Sequence, residues 1–385
     1  MKTSTELKFH ILDEARFPRT VQTLKSGIID GVSPGFVAGF WSAREPDFVA
    51  AAAFGNRRLI PSIQAMTLDT VFDIASLSKV MATAALAGVL VDRGWLRWDL
   101  PVQAVLPEYS YPDIRVSHLL SHTAGLVWWH PFWESLKESF HPEPLYRVSV
   151  EERQKRMQDL VFKVPPECAP GEKAVYSDLS FLVLGFLLER IVGMPLNEAV
   201  AKWVWEPLGM SGAFYRKVVE SPEKAVMENC AATEQCPWRG GVLQGQVHDD
   251  NCWAMGGYGG HAGAFATLRD VLCFAKGTLS GFFSPTTLRA LWTRVPNPPG
   301  CERTLGWDTP SGERPAVGSL FSSKTVGHLG FTGTSLWIDP EAELAVCLLS
   351  NRVHPSRENI KIRTFRPDFH EALRLDLTRS EFARS

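Results

Sequence analysis

FDIASLSK, residues 72–79, runs directly into the apolar segment 80–93, VMATAALAGVLVDR, which is followed by Gly94. Apolar residues recur in this segment at helical spacing, and the glycine is typical of a helix end. Because residues three apart on a helix share one face, the ammonium of Lys79 can reach the hydroxyl of Ser76. A serine needs a neighbouring base to act as a nucleophile, and a desolvated lysine can be that base. The stretch predicts an activated serine at the start of a buried helix.

The same spacing of serine and lysine arises easily by chance. Residues 221–224, SPEK, are a second match, but they lie in a charged, proline-containing stretch that indicates a surface turn. Taken alone, Ser76 and Lys79 also fit a helix-capping serine beside an exposed lysine. Further motifs have to decide between these interpretations.

The composition excludes several classes of protein. The 385 residues are 45% hydrophobic and 21% charged, with a net charge of −2, which is typical of a globular chain without the basic surplus of a general nucleic-acid binder. The N-terminus lacks the apolar core of a secretory signal, and no apolar run approaches the roughly 20 residues of a membrane span. We therefore expect a cytoplasmic protein that binds neither membranes nor nucleic acid. The seven scattered cysteines include no Cys-x-x-Cys pair, so we expect neither a disulfide framework nor a zinc site.

Strand patterns stand at both ends of the chain, and the middle is helical. The predicted strands are residues 36–41, 48–54, 334–339 and 344–351, with helices at 14–32, 76–93, 116–122, 150–160, 179–192, 196–203 and 367–377. This order predicts an α/β (α+β) fold, in which an antiparallel sheet built from both chain ends carries flanking helices and an inserted, mostly helical lobe. We expect residues 1–385 to form a single unit, with a sheet lobe of about 14–75 and 310–385 and a helical lobe of about 76–309.

Two more motifs follow the first, YSD at residues 176–178 and HLG at residues 328–330. With SLSK at 76–79, they have the order and approximate spacing of the three active-site boxes of the serine β-lactamase and penicillin-binding protein family, which the chain resembles over roughly residues 20–375. The likeness is greatest to its class C branch, which includes D-Ala carboxypeptidases, D-aminopeptidases and esterases. Supporting stretches are residues 94–102, 116–126 and 259–263. The resemblance implies a β-lactamase-like fold with Ser76 as the nucleophile.

The second box differs from the family pattern at one position. The resemblance implies that Tyr176 moves the proton between nucleophile and leaving group, and two neighbouring cations could hold its phenol as a phenolate base. Asp178 replaces the usual asparagine. Its carboxylate could pair with Lys79 and keep it protonated, which would favour Tyr176 as the base, or it could cap the following helix. Both possibilities stay open at this point.

The third box differs as well. The family usually has Lys-Thr-Gly here, with the lysine meeting a substrate carboxylate, whereas this chain has His328. A histidine is only partly charged near neutral pH, so we expect weaker recognition of an anionic substrate. The resemblance also implies that Gly330 belongs to this box. It further implies that the backbone N–H groups of Ser76 and Phe331 form an oxyanion hole.

Other candidates carry less specific signals. His118 and His122 are four residues apart, a spacing that can bind metal, but no H-E-x-x-H pattern accompanies them, and we expect no metal site. His261 lies in a glycine-rich loop and could border the pocket or serve the turn. The aromatic residues between Trp128 and Trp133 could line an apolar acyl pocket or pack in the core.

Together these features predict acyl transfer to water without metal or cofactor. Ser76 would attack the carbonyl of a small ester, amide, peptide or lactam, with Lys79 and Tyr176 handling the proton. The only partner expected is this small-molecule substrate. The alternative is a non-catalytic sensor of the same fold that binds penicillin or peptide, which the changes at Asp178 and His328 would favour.

Overall fold

The chain is described here by a computed structural model that covers residues 7–46 and 48–382. Its strands are β1 Lys8–Ile11, β2 Gly35–Ser42, β3 Phe48–Arg58, β4 Gln64–Ala65, β5 Phe72–Asp73, β6 Phe214–Tyr215, β7 Ala232–Cys236, β8 Gly241–Gln244, β9 Ala264–Ala266, β10 Val326–Leu329, β11 Ser335–Asp339 and β12 Leu344–Ser350. Its α-helices are α1 Pro18–Ile29, α2 Ala85–Asp92, α3 Val116–Leu120, α4 Phe132–Phe140, α5 Val150–Val161, α6 Asp178–Val192, α7 Leu196–Val200, α8 Asp250–Ala254, α9 Leu268–Leu279, α10 Pro285–Trp292 and α11 Ile362–Phe382. Two π-helical segments, Lys79–Ala84 and Ala201–Trp205, adjoin α2 and α7.

One large sheet joins the two ends of the chain. Its strand order is β1-β3-β2-β12-β11-β10, with β4 paired to β3. The N-terminal strand β2 pairs antiparallel with the C-terminal strand β12, in the register Phe36 to Ser350. Side chains along β12 are buried throughout, as expected for a central strand covered on both faces. The predicted fold is therefore confirmed.

The edge strand β1 differs from the expected antiparallel pattern. It runs parallel to β3, so the sheet is mixed. The chain between them passes through α1 and β2, and a connection of that length can return a strand in the same direction. The remaining pairs of the large sheet, including the predicted hairpin of β11 and β12, are antiparallel.

Helices cover both faces of this sheet. On one face, α1 and α11 pack together over a core that includes Phe17, Phe36 and Phe369. On the other face, α9 packs against β2 and β12, within a larger core that also contains α2 and α6. Helix α9 comes from the segment that we assigned to the helical lobe. The predicted helical lobe therefore contributes one of the helices that pack on the sheet. The division into two lobes stays a prediction.

No single helix in the described ranges is long and apolar enough to cross a membrane. Helix α6 and residues Leu196–Trp205 meet the requirement only as a pair, bent by 74°. Most side chains of α6 are buried in the core of the protein. The location of the protein in the cell remains a prediction from the sequence.

Candidate active site

Ser76 stands in a strained turn immediately before the first helical residues. Its neighbour Ala75 has φ +47°, in the left-handed region that costs a residue with a side chain about 1–3 kcal/mol. The amide of Ala75 donates to Asp73 Oδ1 at 2.8 Å, and its carbonyl accepts from Ser78 Oγ at 2.6 Å. These two hydrogen bonds hold the turn in the conformation that presents Ser76 at the start of the helix.

Lys79 is fully buried, and its ammonium meets three oxygen atoms. Nζ donates to Ser76 Oγ at 2.9 Å and to the carbonyl of His261 at 2.9 Å. It also forms an ion pair with Asp178 Oδ1 at 2.7 Å. These contacts direct the ammonium of Lys79 toward Ser76.

The ion pair sets the charge of Lys79. Burial by itself lowers the pKa of this lysine, but the negative charge of Asp178 and the neighbouring phenol of Tyr176 outweigh it, and the pKa lies above its usual range. Lys79 is therefore an ammonium at neutral pH. Asp178 does not cap α6, because the side chain of Ser177 does so by accepting from Ser180 N. Of the two possibilities for Asp178, the structure contains the ion pair.

Tyr176 faces the same group of side chains. Its ring centroid lies 5.0 Å from Lys79 Nζ and 5.3 Å from the guanidinium carbon of Arg303. Burial raises the pKa of the phenol more than the charge of Lys79 and the hydrogen bonds from Lys79 and Ser76 lower it. The expectation that neighbouring cations hold Tyr176 as a phenolate at rest is therefore wrong. Removal of water from around the phenol keeps it neutral.

His122 supports the second box, a role that sequence reasoning missed. Its ring packs against that of Tyr176 at an angle of 38°, with centroids 4.5 Å apart, and its Nδ1 accepts from the backbone N–H of Ser177 at 3.0 Å. His118, four residues earlier, instead accepts from the N–H of Arg115. Within the described ranges, no group of three or more His, Cys, Asp and Glu side chains is arranged to hold a metal ion.

His328 is a neutral imidazole in the third box. It lies on β10, buried, with its ring centroid 5.8 Å from that of Tyr176. Nδ1 is 2.8 Å from the carbonyl of Leu329, which can only accept, so Nδ1 carries the hydrogen and Nε2 presents a lone pair. Burial and the charge of Lys79 lower the pKa of His328 to about 3. The expected partial positive charge is wrong, because the ring is out of water.

The loop after β10 is fixed to the segment that precedes Ser76. Thr332 Oγ1 donates to the carbonyl of Asp73 at 2.8 Å, and Thr334 Oγ1 donates to that of Ile74 at 3.1 Å. A Cβ atom on Gly330 would lie 2.0 Å from Thr334 Oγ1 and 2.6 Å from the carbonyl oxygen of Ile74. Only glycine permits this close approach, which brings the loop beside the nucleophile.

Phe331 follows in that loop, with a side chain 51% exposed. Its carbonyl accepts from Arg352 Nε at 2.8 Å, and the same guanidinium lies 4.3 Å from its ring centroid. Among the residues that the structure describes, no acceptor engages the backbone N–H of Phe331 or that of Ser76. Two such N–H groups beside a nucleophile can stabilise a developing oxyanion.

The aromatic cluster near the second box divides into two parts. Phe132 is buried in the core, and Trp133 stacks on Trp238 with centroids 4.5 Å apart. Trp128, in contrast, is 64% exposed, and its carbonyl accepts from the N–H of Asp178 at 2.9 Å. Phe132 and Trp133 therefore pack against other residues of the protein, whereas the side chain of Trp128 is exposed to solvent next to the second box.

A cavity of about 600 Å³ lies along the segment that precedes Tyr176. Its walls are residues 172–175, which lead into the second box, and the loop 298–303, which carries Arg303. Charged side chains of both signs line it, namely Glu172, Lys173, Glu302, Arg303 and Asp308. The cavity therefore has walls with charges of both signs, beside the segment that leads into the second box.

Known proteins resemble this chain in sequence and in fold. The family model described as Beta-lactamase matches residues 29–369. A Salmonella agona protein named "Putative D-alanyl-D-alanine carboxypeptidase" is 28% identical over 329 residues, which is 77% of this chain and 72% of the relative. The solved structure of EstCE1, a hydrolase with promiscuous acyltransferase activity, matches with a TM-score of 0.72 at 20% identity, over 94% of this chain and 99% of the other. A class C beta lactamase from Rhodobacter sphaeroides matches with a TM-score of 0.64 at 19% identity, over 92% and 99%.

Proposed function

The chain belongs to the beta-lactamase family, and we propose that it is a serine hydrolase that forms an acyl-enzyme on Ser76. Its substrates in this proposal are small esters, amides, peptides or lactams. The observation that carries the proposal is the contact of Ser76 Oγ with the buried ammonium of Lys79 at 2.9 Å, in a turn held open at the start of a helix. A lysine serving only as a surface charge would not be buried against a serine hydroxyl.

In the proposed mechanism, Tyr176 rather than Lys79 exchanges the proton of Ser76. The ion pair with Asp178 keeps Lys79 protonated, so the lysine orients the serine and stabilises negative charge on the phenol. Tyr176 is neutral at rest, so its phenol must first lose its proton to solvent, and the ionised fraction increases with pH. As Ser76 attacks the carbonyl carbon, the proton of Ser76 passes to this phenolate. The same tyrosine then protonates the leaving group, and water releases the acid in the reverse sequence.

The remaining groups act on the carbonyl oxygen and the leaving group. The backbone N–H groups of Ser76 and Phe331 would donate to the oxyanion. Neutral His328 carries its hydrogen on Nδ1, where Leu329 accepts it, and so does not supply the cation that a strongly anionic substrate needs. The exposed Trp128 provides an apolar surface for the acyl group. These features favour uncharged esters and amides over strongly anionic substrates.

An ester assay tests the reaction, with the Ser76→Ala variant as the matched control. We expect the wild type to hydrolyse p-nitrophenyl butyrate at least 100-fold faster than Ser76→Ala, since the nucleophile is lost. Equal rates would contradict the enzyme assignment. Intact-mass spectrometry after treatment with a fluorophosphonate locates the nucleophile, and an adduct on any residue other than Ser76 would contradict the mechanism.

A penicillin separates the enzyme from the sensor alternative. Rapid release of the penicilloyl group supports hydrolysis of lactams. A stable adduct on Ser76, combined with no turnover of esters, would support the sensor, because acylation would then occur without deacylation.

A further inference from the structure

We propose that Asp249 and His261 form a positioning pair, which fixes the backbone carbonyl that Lys79 uses as an acceptor. The inference rests on the proposed function, because it concerns the orientation of Lys79 toward Ser76. His261 contributes two different groups. Its carbonyl accepts from Lys79 Nζ at 2.9 Å, and its ring Nε2 donates to Asp249 Oδ1 at 2.9 Å.

The ring of His261 depends on this aspartate alone for its hydrogen bonding. The side chain is 1% exposed, and Nδ1 has no hydrogen-bond partner among the described residues. A buried imidazole with one hydrogen bond takes its orientation from that bond. Since the ring and the carbonyl belong to one residue in a tight glycine-rich loop, fixing the ring also fixes the carbonyl that faces Lys79.

Asp249 in turn is anchored to a helix. The oxygen that meets His261 also accepts the backbone N–H of Cys252 at 2.7 Å, which caps the start of α8. Desolvation opposes ionisation here, but the contacts with His261 and Cys252 and the charge of Lys79 hold the pKa of Asp249 below its usual range. The pair therefore links an ionised, helix-anchored carboxylate to the glycine-rich loop.

The residue before Asp249 is hydrogen-bonded to the turn that carries Ser76. The backbone N–H of His248 donates to Asp73 Oδ2 at 2.6 Å, while Asp73 Oδ1 accepts from Ala75, next to Ser76. Two consecutive residues thus brace the turn that carries the serine and the loop that directs the lysine. This arrangement supports the separation of 2.9 Å between Ser76 Oγ and Lys79 Nζ.

The chemical consequence concerns the catalytic step and not the binding of substrate. If the loop moves, one N–H of Lys79 loses its acceptor, and the ammonium can turn away from Ser76 and Tyr176. A displacement of about 1 Å at a catalytic group can cost about 100-fold in rate. Neither Asp249 nor His261 needs to touch the substrate for this effect, so KM should change little.

The test uses Asp249→Ala, Asp249→Asn and His261→Ala, assayed with p-nitrophenyl butyrate and with a fluorophosphonate. We expect kcat and the rate constant of Ser76 labelling to fall about 10- to 100-fold in both alanine variants, with KM within threefold of wild type. Asp249→Asn should stay within about fivefold of wild type, since its amide oxygen can accept the same hydrogen bond from Nε2.

Asp270→Ala is the matched control for lost folding energy. Asp270 is also a buried carboxylate at a helix start, where it accepts from the N–H of Gly212 at 2.9 Å and of Thr267 at 2.9 Å, but it does not contact the loop of His261. We expect this variant to lower Tm and to keep wild-type kcat. An equal loss of kcat in Asp270→Ala at a similar change in Tm would overturn the positioning role, as would wild-type kcat in Asp249→Ala.

Two further results would also overturn the pair. One is a change confined to KM, and the other is an Asp249→Asn variant as slow as Asp249→Ala. Failure of the proposed function gives a different pattern, in which the fluorophosphonate does not label Ser76 in the wild type at all. If Ser76 is labelled at the same rate in every variant, the positioning role of Asp249 and His261 is contradicted, and Ser76 is still the nucleophile.

Discussion

Asp178 Oδ1 lies 2.7 Å from Lys79 Nζ, and the lysine side chain of this ion pair is fully buried. The carboxylate stands at the position where we expect most members of the family to have the side-chain amide of an asparagine. Its charge raises the pKa of the lysine, whose Nζ also contacts Ser76 Oγ and the carbonyl of His261. In the proposed mechanism, Lys79 accordingly orients the serine, and a different residue, Tyr176, moves the proton.

Asp178→Asn should lower the pKa of Lys79, because the negative charge that raises it is removed. If the ammonium form is required, the alkaline limb of the pH profile of kcat/KM shifts to lower pH, by about 1 to 3 pH units. The profile with p-nitrophenyl butyrate measures this shift. An unchanged alkaline limb, or one displaced to higher pH, would show that Lys79 does not act as an ammonium.

Tyr176→Phe should reduce kcat/KM by about 100- to 10,000-fold, since the group that exchanges the proton is lost. In the wild type, the raised pKa of this phenol predicts activity that increases with pH above neutrality, as more of it ionises. Tyr109→Phe is the control, because that hydroxyl is buried in the core and has no hydrogen-bond partner among the described residues. Its activity should stay within twofold of wild type, and equal losses in both variants would contradict the role of Tyr176.

Gly330→Ala should abolish most activity, because its Cβ would lie 2.0 Å from Thr334 Oγ1 and 2.6 Å from the carbonyl of Ile74. The loop must then move, and the N–H of Phe331 moves with it. We expect kcat/KM to fall at least about 100-fold, as for the loss of an oxyanion donor. Gly241→Ala is the control, since nothing lies within 4 Å of a Cβ atom there. If the Gly330→Ala variant is as active as the Gly241→Ala variant, the loop that contains Phe331 has no role in the mechanism.

Acid should destabilise the protein through its buried histidines. Burial lowers the pKa of His370 to about 3, from the ordinary histidine value of 6.5. The unfolded chain therefore binds a proton that the folded chain does not, and stability is full above pH 6.5 and falls as the pH drops toward 3. At pH 5 this one group costs about 2 kcal/mol. His370→Leu should show a shallower loss of unfolding free energy between pH 6.5 and pH 4.5, measured by denaturant titration. A slope equal to that of wild type would contradict this.

The sequence predicted the features that depend on residues close together along the chain, and it did not predict those that depend on distant segments. The contact of Ser76 with Lys79 is a matter of helical spacing, and the strands at both chain ends follow from local alternation, so both were predictable. The parallel pairing of β1 was not, because nothing in its own residues specifies its partner. The neutral states of Tyr176 and His328 depend on burial by distant segments. The acceptor from His261 is a backbone carbonyl, which leaves no side-chain signature in the sequence.

The pairing of β2 with β12 also imposes an order on synthesis of the protein. Residue 36 is made early and must wait for its partner at residue 350, which at 5–20 residues per second takes about 15 to 60 s. The loop with Phe331 belongs to the same late part of the chain, so the emerging polypeptide holds Ser76 and Lys79 well before it has the oxyanion donor that we propose in that loop. The nascent chain should therefore stay catalytically silent, and hydrolysis should begin only after the C-terminal strands have left the ribosome.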